Sequence, residues 1–298
     1  MGEKPNSMGT GLRLFATICR VTDGVYGTEI QKTVPLGGSC SESLNLDKPE
    51  VVEAVARSYV EAGSDVIMTN TLIANRFGLA PYGLSGRVAE IARSAAEIAG
   101  RATKGTKTEV YGSFGPTGKI VMMGEVSEDE LASAFAETAK ALAAGGAQAI
   151  VLETFNELAE ARIALIAAKS VCELPVVVSM AFAFGPDRNA TMMGEQPEDL
   201  VKMANENGAD AIGCNCGVGP DVAVGIVARL RASTQLPIWA KPNAGIPTVK
   251  DGKTVFPMSP SKFAAFAPAL RRAGADFIGG CCGAGPDHIR AVRQALIA

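Results

Sequence analysis

The feature that most restricts this chain is one alternation carried from end to end. A short run of Val, Ile and Ala stops in Gly, Thr, Asn or Cys, and a longer stretch with Ala, Leu and charge at helical spacing follows it. The apolar runs fall at 19–24, 64–70, 108–115, 148–154, 174–180, 210–216, 236–243 and 275–280. Helical segments at 49–63, 131–146, 157–169, 197–208 and 260–274 stand among the stretches between them. Continuous apolar strands separated by amphipathic helices demand a parallel sheet covered on its outer face, because a strand buried on both sides has no polar side to show. Eight such units predict an α/β fold closed into a single (β/α)8 TIM barrel over residues 19–298, with residues 1–18 set apart as an N-terminal segment that could be flexible. An open doubly wound sheet is the alternative. It lacks support, since no G-x-G-x-x-G follows the first strand, where a dinucleotide fold would place it.

In such a barrel the active site lies at the C-terminal ends of the strands. Read in order, those ends carry Asp23-Gly24, Thr69-Asn70-Thr71, Gly112-Ser113, Glu153-Thr154, Ser179, Cys214-Asn215-Cys216, Lys241-Pro242-Asn243 and Cys281-Cys282. Cys216 ends the sixth strand and Cys281-Cys282 the eighth, two strands apart round the rim, so three sulfurs can converge on one atom. Zinc suits them: it accepts thiolates at about 2.3 Å in tetrahedral geometry, and three protein ligands with one open position mark a catalytic site. Neighbouring residues on a strand point to opposite faces, so Cys281 and Cys282 reach one metal only if the backbone turns there. The flanking Gly279, Gly280 and Gly283 permit that turn. For isolated cysteines such as Cys19, Cys40 and Cys172 the plainer reading is burial as a small apolar residue. A structural zinc site is disfavoured, because C-x2-C pairs are absent and the ligands lie far apart in sequence.

Composition narrows the setting. A formal charge of -3 with no basic stripe excludes nucleic acid as a partner. No apolar stretch reaches the roughly 20 residues of a membrane helix, and the opening MGEKPNSMGTGLRLFATICR lacks the apolar block of a secretory signal. Seven cysteines, with pairs in GCNC and GGCC, suit metal ligation or thiol chemistry in a reducing cytoplasm better than a disulfide framework.

GCNC, PNAG and GGCCG in this order, preceded by DGVYGTEIQ and DVIMTNT, resemble the homocysteine S-methyltransferase family. That family includes the homocysteine domain of cobalamin-dependent methionine synthase, betaine-homocysteine methyltransferase and S-methylmethionine-dependent enzymes. The resemblance runs from about Asp23 to the C-terminus and is nearest to the methionine synthase domain. It implies a zinc barrel in which Cys216, Cys281 and Cys282 hold the metal and homocysteine takes the fourth position. A free thiol is mostly protonated at neutral pH, and a metal deprotonates it, giving the nucleophile that attacks a methyl group in line. The resemblance also implies that Asp23 and Glu153 hold the substrate ammonium. The turn at Gly24, Val25 and Tyr26, with Thr69 nearby, would offer donors to its carboxylate. Plainer readings remain for both acids: a turn or cap residue for Asp23 and a helix N-terminal charge for Glu153. Asn243 either gates the open metal position or holds a structural turn.

Three departures stand out. Val25-Tyr26 replaces the Ala-Met of the usual DGAMGT, so the pocket can be shaped for another thiol. Cys214, two residues before Cys216 and by strand parity on its face, is either a fourth ligand or, as preferred, an inward-facing buried thiol. His288 of PDHIR reads as a helix N-terminal residue and not as a ligand. For the donor, residues 239–260 resemble the cobalamin-dependent branch, whereas ATMMGEQPEDL at 190–200 shares features with bacterial betaine-type enzymes. The cobalamin lower-ligand motif D-x-H-x-x-G is absent, so methylcobalamin, if it is the donor, must be carried by a separate corrinoid protein docking over the barrel mouth. The expectation is zinc-dependent methyl transfer from that protein to homocysteine, giving methionine. The alternatives are betaine or another onium donor, a different thiol, and, further off, a non-catalytic zinc-thiolate storage or sensing barrel.

Overall fold

A computed structural model describes residues 19–250 and 253–297, so the segment 1–18 set apart above lies outside the described residues. Eight parallel strands form one sheet: β1 Arg20–Val21, β2 Val66–Met68, β3 Glu109–Phe114, β4 Ala149–Phe155, β5 Val176–Met180, β6 Ala211–Asn215, β7 Ile238–Lys241 and β8 Phe277–Ile278. Neighbours pair in chain order from β2 to β8, and β8 pairs with β1 in register Arg20↔Phe277. The seam between β1 and β2 is closed by the parallel bridge Thr22↔Val66. There the Asp65 N–H donates to Val21 O at 2.7 Å and the Val21 N–H donates to an Asp65 carboxylate oxygen at 2.8 Å. The expected TIM barrel is the observed one.

Eight outer helices cover the sheet: α1 Pro49–Glu61, α2 Val88–Ala102, α3 Glu128–Ala144, α4 Leu158–Val171, α5 Pro197–Asn207, α6 Pro220–Ser233, α7 Ala267–Ala273 and α8 Pro286–Ile297. Local chemistry sets several boundaries. α3 begins three residues before the apolar pattern does, because Ser127 and Glu130 form a reciprocal capping box ahead of its acidic first turn. The helix expected over 260–274 is broken into Pro260–Ala264 and α7. Pro268 has no N–H to give to the Ala264 carbonyl, so the first piece ends at that residue. A two-stranded antiparallel ribbon, Thr248–Lys250 with Lys253–Val255, rises from the loop after β7. Among the described residues no helix is long and apolar enough to cross a membrane.

The strand alternation sorts the core into two parts. Ile67, Val110, Ile150, Val178, Ile212 and Ile278 face the helices and join the large outer core. Met68, Tyr111, Val151, Val177, Trp239 and Phe277 fill the barrel itself. Trp239 lies 5.1 Å from Phe277 and 6.2 Å from Tyr111 between ring centroids, an aromatic plug across the interior. Two residues further along the same strands stand Ser113, Glu153, Ser179 and Lys241, so a polar layer rests directly on that plug at the C-terminal face.

Strand spacing leaves no room beside Trp239, where a Cβ on Gly213 would lie 1.9 Å from the Trp239 carbonyl oxygen. Gly213→Ala should therefore destabilise the barrel by about 1–3 kcal/mol. Gly225→Ala within α6, where a Cβ meets nothing within 4 Å, should stabilise by roughly 0.5–1 kcal/mol. Urea denaturation checks both, since each shifts the midpoint without changing the slope.

Candidate metal centre

Three sulfurs meet at the mouth. The chain leaves β6 at Asn215, and Cys216 then takes a left-handed φ of 62° before Gly217 at 73°. A side chain in that region costs roughly 1–3 kcal/mol and persists where the surroundings hold it. Here the Cys216 N–H donates to Lys241 O at 3.1 Å, and the Val218 N–H donates back to Cys216 O at 2.8 Å. Beyond β8 the backbone is stitched to the exit of β7. Cys281 N–H donates to Pro242 O, Cys282 N–H to the Asn243 side-chain oxygen, and Ala244 N–H to Cys282 O, at 2.9, 3.1 and 2.9 Å. Gly283, at φ 79°, completes the turn, and a Cβ there would overlap Phe256 at 2.3 Å. The strand-end cysteines thus turn onto one point.

Cys216 Sγ lies 3.8 Å from Cys282 Sγ, and the sulfurs of Cys216, Cys281 and Cys282 all fall within 4.8 Å of one another. Tetrahedral zinc with bonds near 2.3 Å separates neighbouring sulfurs by about 3.8 Å. The donor set and spacing fit that ion. Without metal the trio shares protons: hydrogen bonds from Cys281 and then Cys282 hold Cys216 well below the usual thiol range, and the same bonds to Cys216 hold Cys281 and Cys282 above it. A metal would take the place of those protons.

Cys214 does not join them. It packs with Ile212 and Val178 on the helix-facing side of β6, where burial pushes its thiol up to about 12. Strand parity does not carry from Cys214 to Cys216, because the left-handed turn at Cys216 breaks the alternation. The fourth-ligand reading of Cys214 finds no support in this geometry, and the preferred reading is corrected in direction: the thiol is buried, but it faces the helices and not the barrel interior, because it shares the strand parity of Ile212. His288 is also remote from the sulfurs in role: its Nε2 lies 3.0 Å from Met258 O and its ring stands edge-on to Phe263.

Below the sulfurs, the polar layer is densely bonded. Asn215 is its hub. Its side-chain oxygen accepts from the Thr154 N–H at 2.9 Å and the Ser179 hydroxyl at 2.7 Å, while its amide donates to the Thr154 hydroxyl at 2.6 Å and contacts Cys281 Sγ at 3.9 Å. Thr154 itself is held at φ 65°, unusual for a β-branched residue. Sequence reasoning placed Asn215 on the rim without a role; the signal was its position, two residues beyond Gly213 on the same interior face as the aromatic plug.

The residues expected to meet substrate divide into free and engaged groups. Asp23 is fully buried, with Lys241 Nζ on one carboxylate oxygen at 2.5 Å and the Met68 N–H on the other at 2.6 Å. Lys241, for which the sequence suggested no role, is equally buried and also touches Met68 Sδ at 3.7 Å. The Thr69 hydroxyl accepts the Ser113 N–H at 3.0 Å and pairs with the Thr71 hydroxyl at 2.5 Å, so it is engaged within the protein. The Val25 N–H is likewise held, by Ala284 O at 3.1 Å, and Gly24 passes so close that a Cβ would lie 1.9 Å from that oxygen. Glu153 lines the interior, and burial pushes its carboxyl above the usual range, with Lys241 opposing. The Tyr26 hydroxyl is buried with no hydrogen-bond partner, and its ring stands 5.8 Å from that of Tyr59. Asn243 holds the structural turn: its side-chain oxygen accepts the Cys282 N–H at 3.1 Å.

Comparison with known proteins agrees with this architecture. The model of a family described as homocysteine S-methyltransferase matches residues 20–296. The chain is 30% identical to the methionine synthase of Mycobacterium leprae (strain TN) over 304 residues, covering 96% of this chain and 25% of that protein. It is likewise 30% identical to the methionine synthase of Mycobacterium tuberculosis (strain ATCC 25618 / H37Rv), covering 93% of this chain and 24% of that protein. It therefore spans about a quarter of the length of these curated relatives. The homocysteine methyltransferase MmuM from Escherichia coli, in its metallated form, superposes with a TM-score of 0.78 at 21% identity, covering 95% of this chain and 98% of that one. With the family's model matched over nearly the whole barrel, sulfur cluster included, this chain belongs to the homocysteine S-methyltransferase family.

Proposed function

We propose that this protein is a zinc-dependent thiol S-methyltransferase that moves a methyl group from a separate methyl-corrinoid protein to homocysteine, giving methionine. The observation that carries the reading is the three-sulfur cluster at zinc-thiolate spacing, each of its cysteines half-buried. The metallated form of MmuM supports a metal in such a barrel. Bound to Cys216, Cys281 and Cys282, zinc would supply the Lewis acidity that keeps the acceptor sulfur deprotonated at neutral pH. The protein's own residues do the rest. Asn243 and Asn215 brace the cysteine loops, while Asp23, Gly24, Tyr26, Thr69 and Glu153 form the layer over which the acceptor's polar head is held. Orientation of sulfur and methyl carbon in line, with water excluded, is the main remaining source of rate. The S–C bond forms as the bond from methyl to donor breaks, and the donor leaves with the electron pair.

The rim favours a macromolecular donor. Most of the large apolar side chains exposed among the described residues stand on segments that follow strands: Leu72 after β2, Met122 and Met123 after β3, Phe184 and Met192 after β5, and Ile246, Val249 and Val255 after β7. An apolar collar rich in adaptable methionine suits a docking protein. A small onium donor has no need of one. All seven cysteines are free, in keeping with the reducing cytoplasm that belongs to the same proposal.

Cys281→Ser should weaken zinc or cobalt binding at least about tenfold and reduce methyl transfer to near background; a variant that keeps both metal and activity would overturn the reading. Zinc uptake should release about two protons, and apparent metal affinity should rise between about pH 6 and 8, because protons compete for the sulfurs of Cys281 and Cys282. A pH-indicator titration measures this. Met122→Glu with Met123→Glu should lower transfer from a methyl-corrinoid protein about tenfold or more by disrupting the collar, with thiol binding unchanged. If the double variant instead matches the parent, or betaine alone sustains turnover, the protein donor is wrong.

A further inference from the structure

Resting on the thiol methyltransferase reading, we propose that Asn215 is a positioning residue that couples the two ends of the acceptor site: its side chain holds the bulge of β4 that presents Glu153, and the same amide steadies the Cys281 sulfur. The register of the sheet shows the bulge. Leu152 pairs with Val178 and Phe155 with Met180, so Glu153 and Thr154 together stand opposite the single Ser179 of β5. A bulge of this kind re-aims side chains beside a site. By alternation alone Thr154 would face the helices and Phe155 the interior. Instead Phe155 returns to the outer core, 5.8 Å from Phe135 between ring centroids, and Glu153 and Thr154 are both left on the interior side.

The bulge does not stand by itself. It needs Thr154 at φ 65°, a left-handed conformation that glycine takes readily and a β-branched residue resists. Such a residue persists only where its surroundings over-determine it. Asn215, at the end of β6, supplies those surroundings: its oxygen accepts the Thr154 N–H at 2.9 Å and its amide donates to the Thr154 hydroxyl at 2.6 Å, so one side chain grips the strained residue twice. The same oxygen takes the Ser179 hydroxyl at 2.7 Å, which spans the bulge from the opposite strand. The amide nitrogen also lies 3.9 Å from Cys281 Sγ, and the next residue along the chain is Cys216. Glycine at 154 would make the same turn without strain but would offer Asn215 no hydroxyl. Threonine there makes the shape of the strand that carries Glu153 conditional on Asn215. The polar head and the sulfur of an acceptor are thereby held at one separation, which is what in-line transfer requires.

The test is a double-mutant cycle between Asn215→Ala and Thr154→Gly, read in three ways. In urea denaturation of the metal-free protein, Asn215→Ala should lower the midpoint, and on the Thr154→Gly background the drop should be about half as large or less, because glycine needs no clamp. In the cobalt-loaded protein, Asn215→Ala should raise the homocysteine concentration at half-saturation about tenfold, and about threefold or less on the glycine background. The sulfur-to-cobalt charge-transfer band should move to longer wavelength in Asn215→Ala on both backgrounds, since losing the amide contact leaves the Cys281 sulfur a stronger donor. A merely structural Asn215 would lower the midpoint and leave the band in place, and that result overturns the link to the sulfur. Equal losses on both backgrounds overturn the clamp. Should Asn215→Ala fail to fold on either background, Ser179→Ala, which removes one bond to the Asn215 oxygen, takes its place: homocysteine half-saturation should rise about threefold, and no change would overturn the proposal. A parent protein whose cobalt spectrum ignores homocysteine would sink the methyltransferase reading and the acceptor role given to Asn215. The urea midpoints, which need neither metal nor thiol, judge the clamp separately.

Discussion

A strand can send its side chains in only two directions, and closing eight parallel strands turns one of those directions into a confined interior. Everything at the mouth of this barrel depends on that constraint. The interior must be filled, and Trp239, Phe277 and Tyr111 fill it with an aromatic plug. The next inward positions then face the mouth, and there the chain places Ser113, Glu153, Ser179, Asn215 and Lys241. Polar groups stacked on a dry, apolar floor interact more strongly than they would in water. The cysteines come one step later, where the strands have ended and the backbone is free to turn.

The pair of Lys241 with Asp23 shows how much that setting matters. Both groups are removed from solvent, so each is tolerable only while the other is present; breaking a buried pair from one side typically costs about 3–5 kcal/mol. The pair also ties β7 to β1 across β8, close to the seam at Thr22 and Val66. It belongs as much to barrel closure as to recognition of a ligand.

Much of the fold is legible in the chain because parallel strands buried on both faces leave long apolar runs, and their ends leave Gly, Asn and Cys. The cysteine cluster is legible for a related reason: adjacent cysteines among glycines have few other uses at a strand end. What escaped reading depends on distance or on local turns. That Lys241 meets Asp23 follows from strands at opposite ends of the sequence coming together, with no local trace in either motif. Cys214 and Cys216 are equivalent by parity, and only the left-handed turn at Cys216 separates them. The break at Pro268 was visible as a residue yet hidden by the strong helical pattern round it.

The two arms of the sulfur cluster also have a topological meaning. Cys216 and Cys282 are 66 residues apart along the chain, so an ion held by both closes a loop that contains α6, β7, the antiparallel ribbon, the Pro260–Ala264 helix, α7 and β8. Closing a loop of that size restricts the unfolded chain by on the order of 4 kcal/mol in the chain-entropy treatment of crosslinks. A metal held there would be a clasp on the last quarter of the barrel, and its supply would set the cohesion of that quarter as well as the chemistry proposed at its mouth.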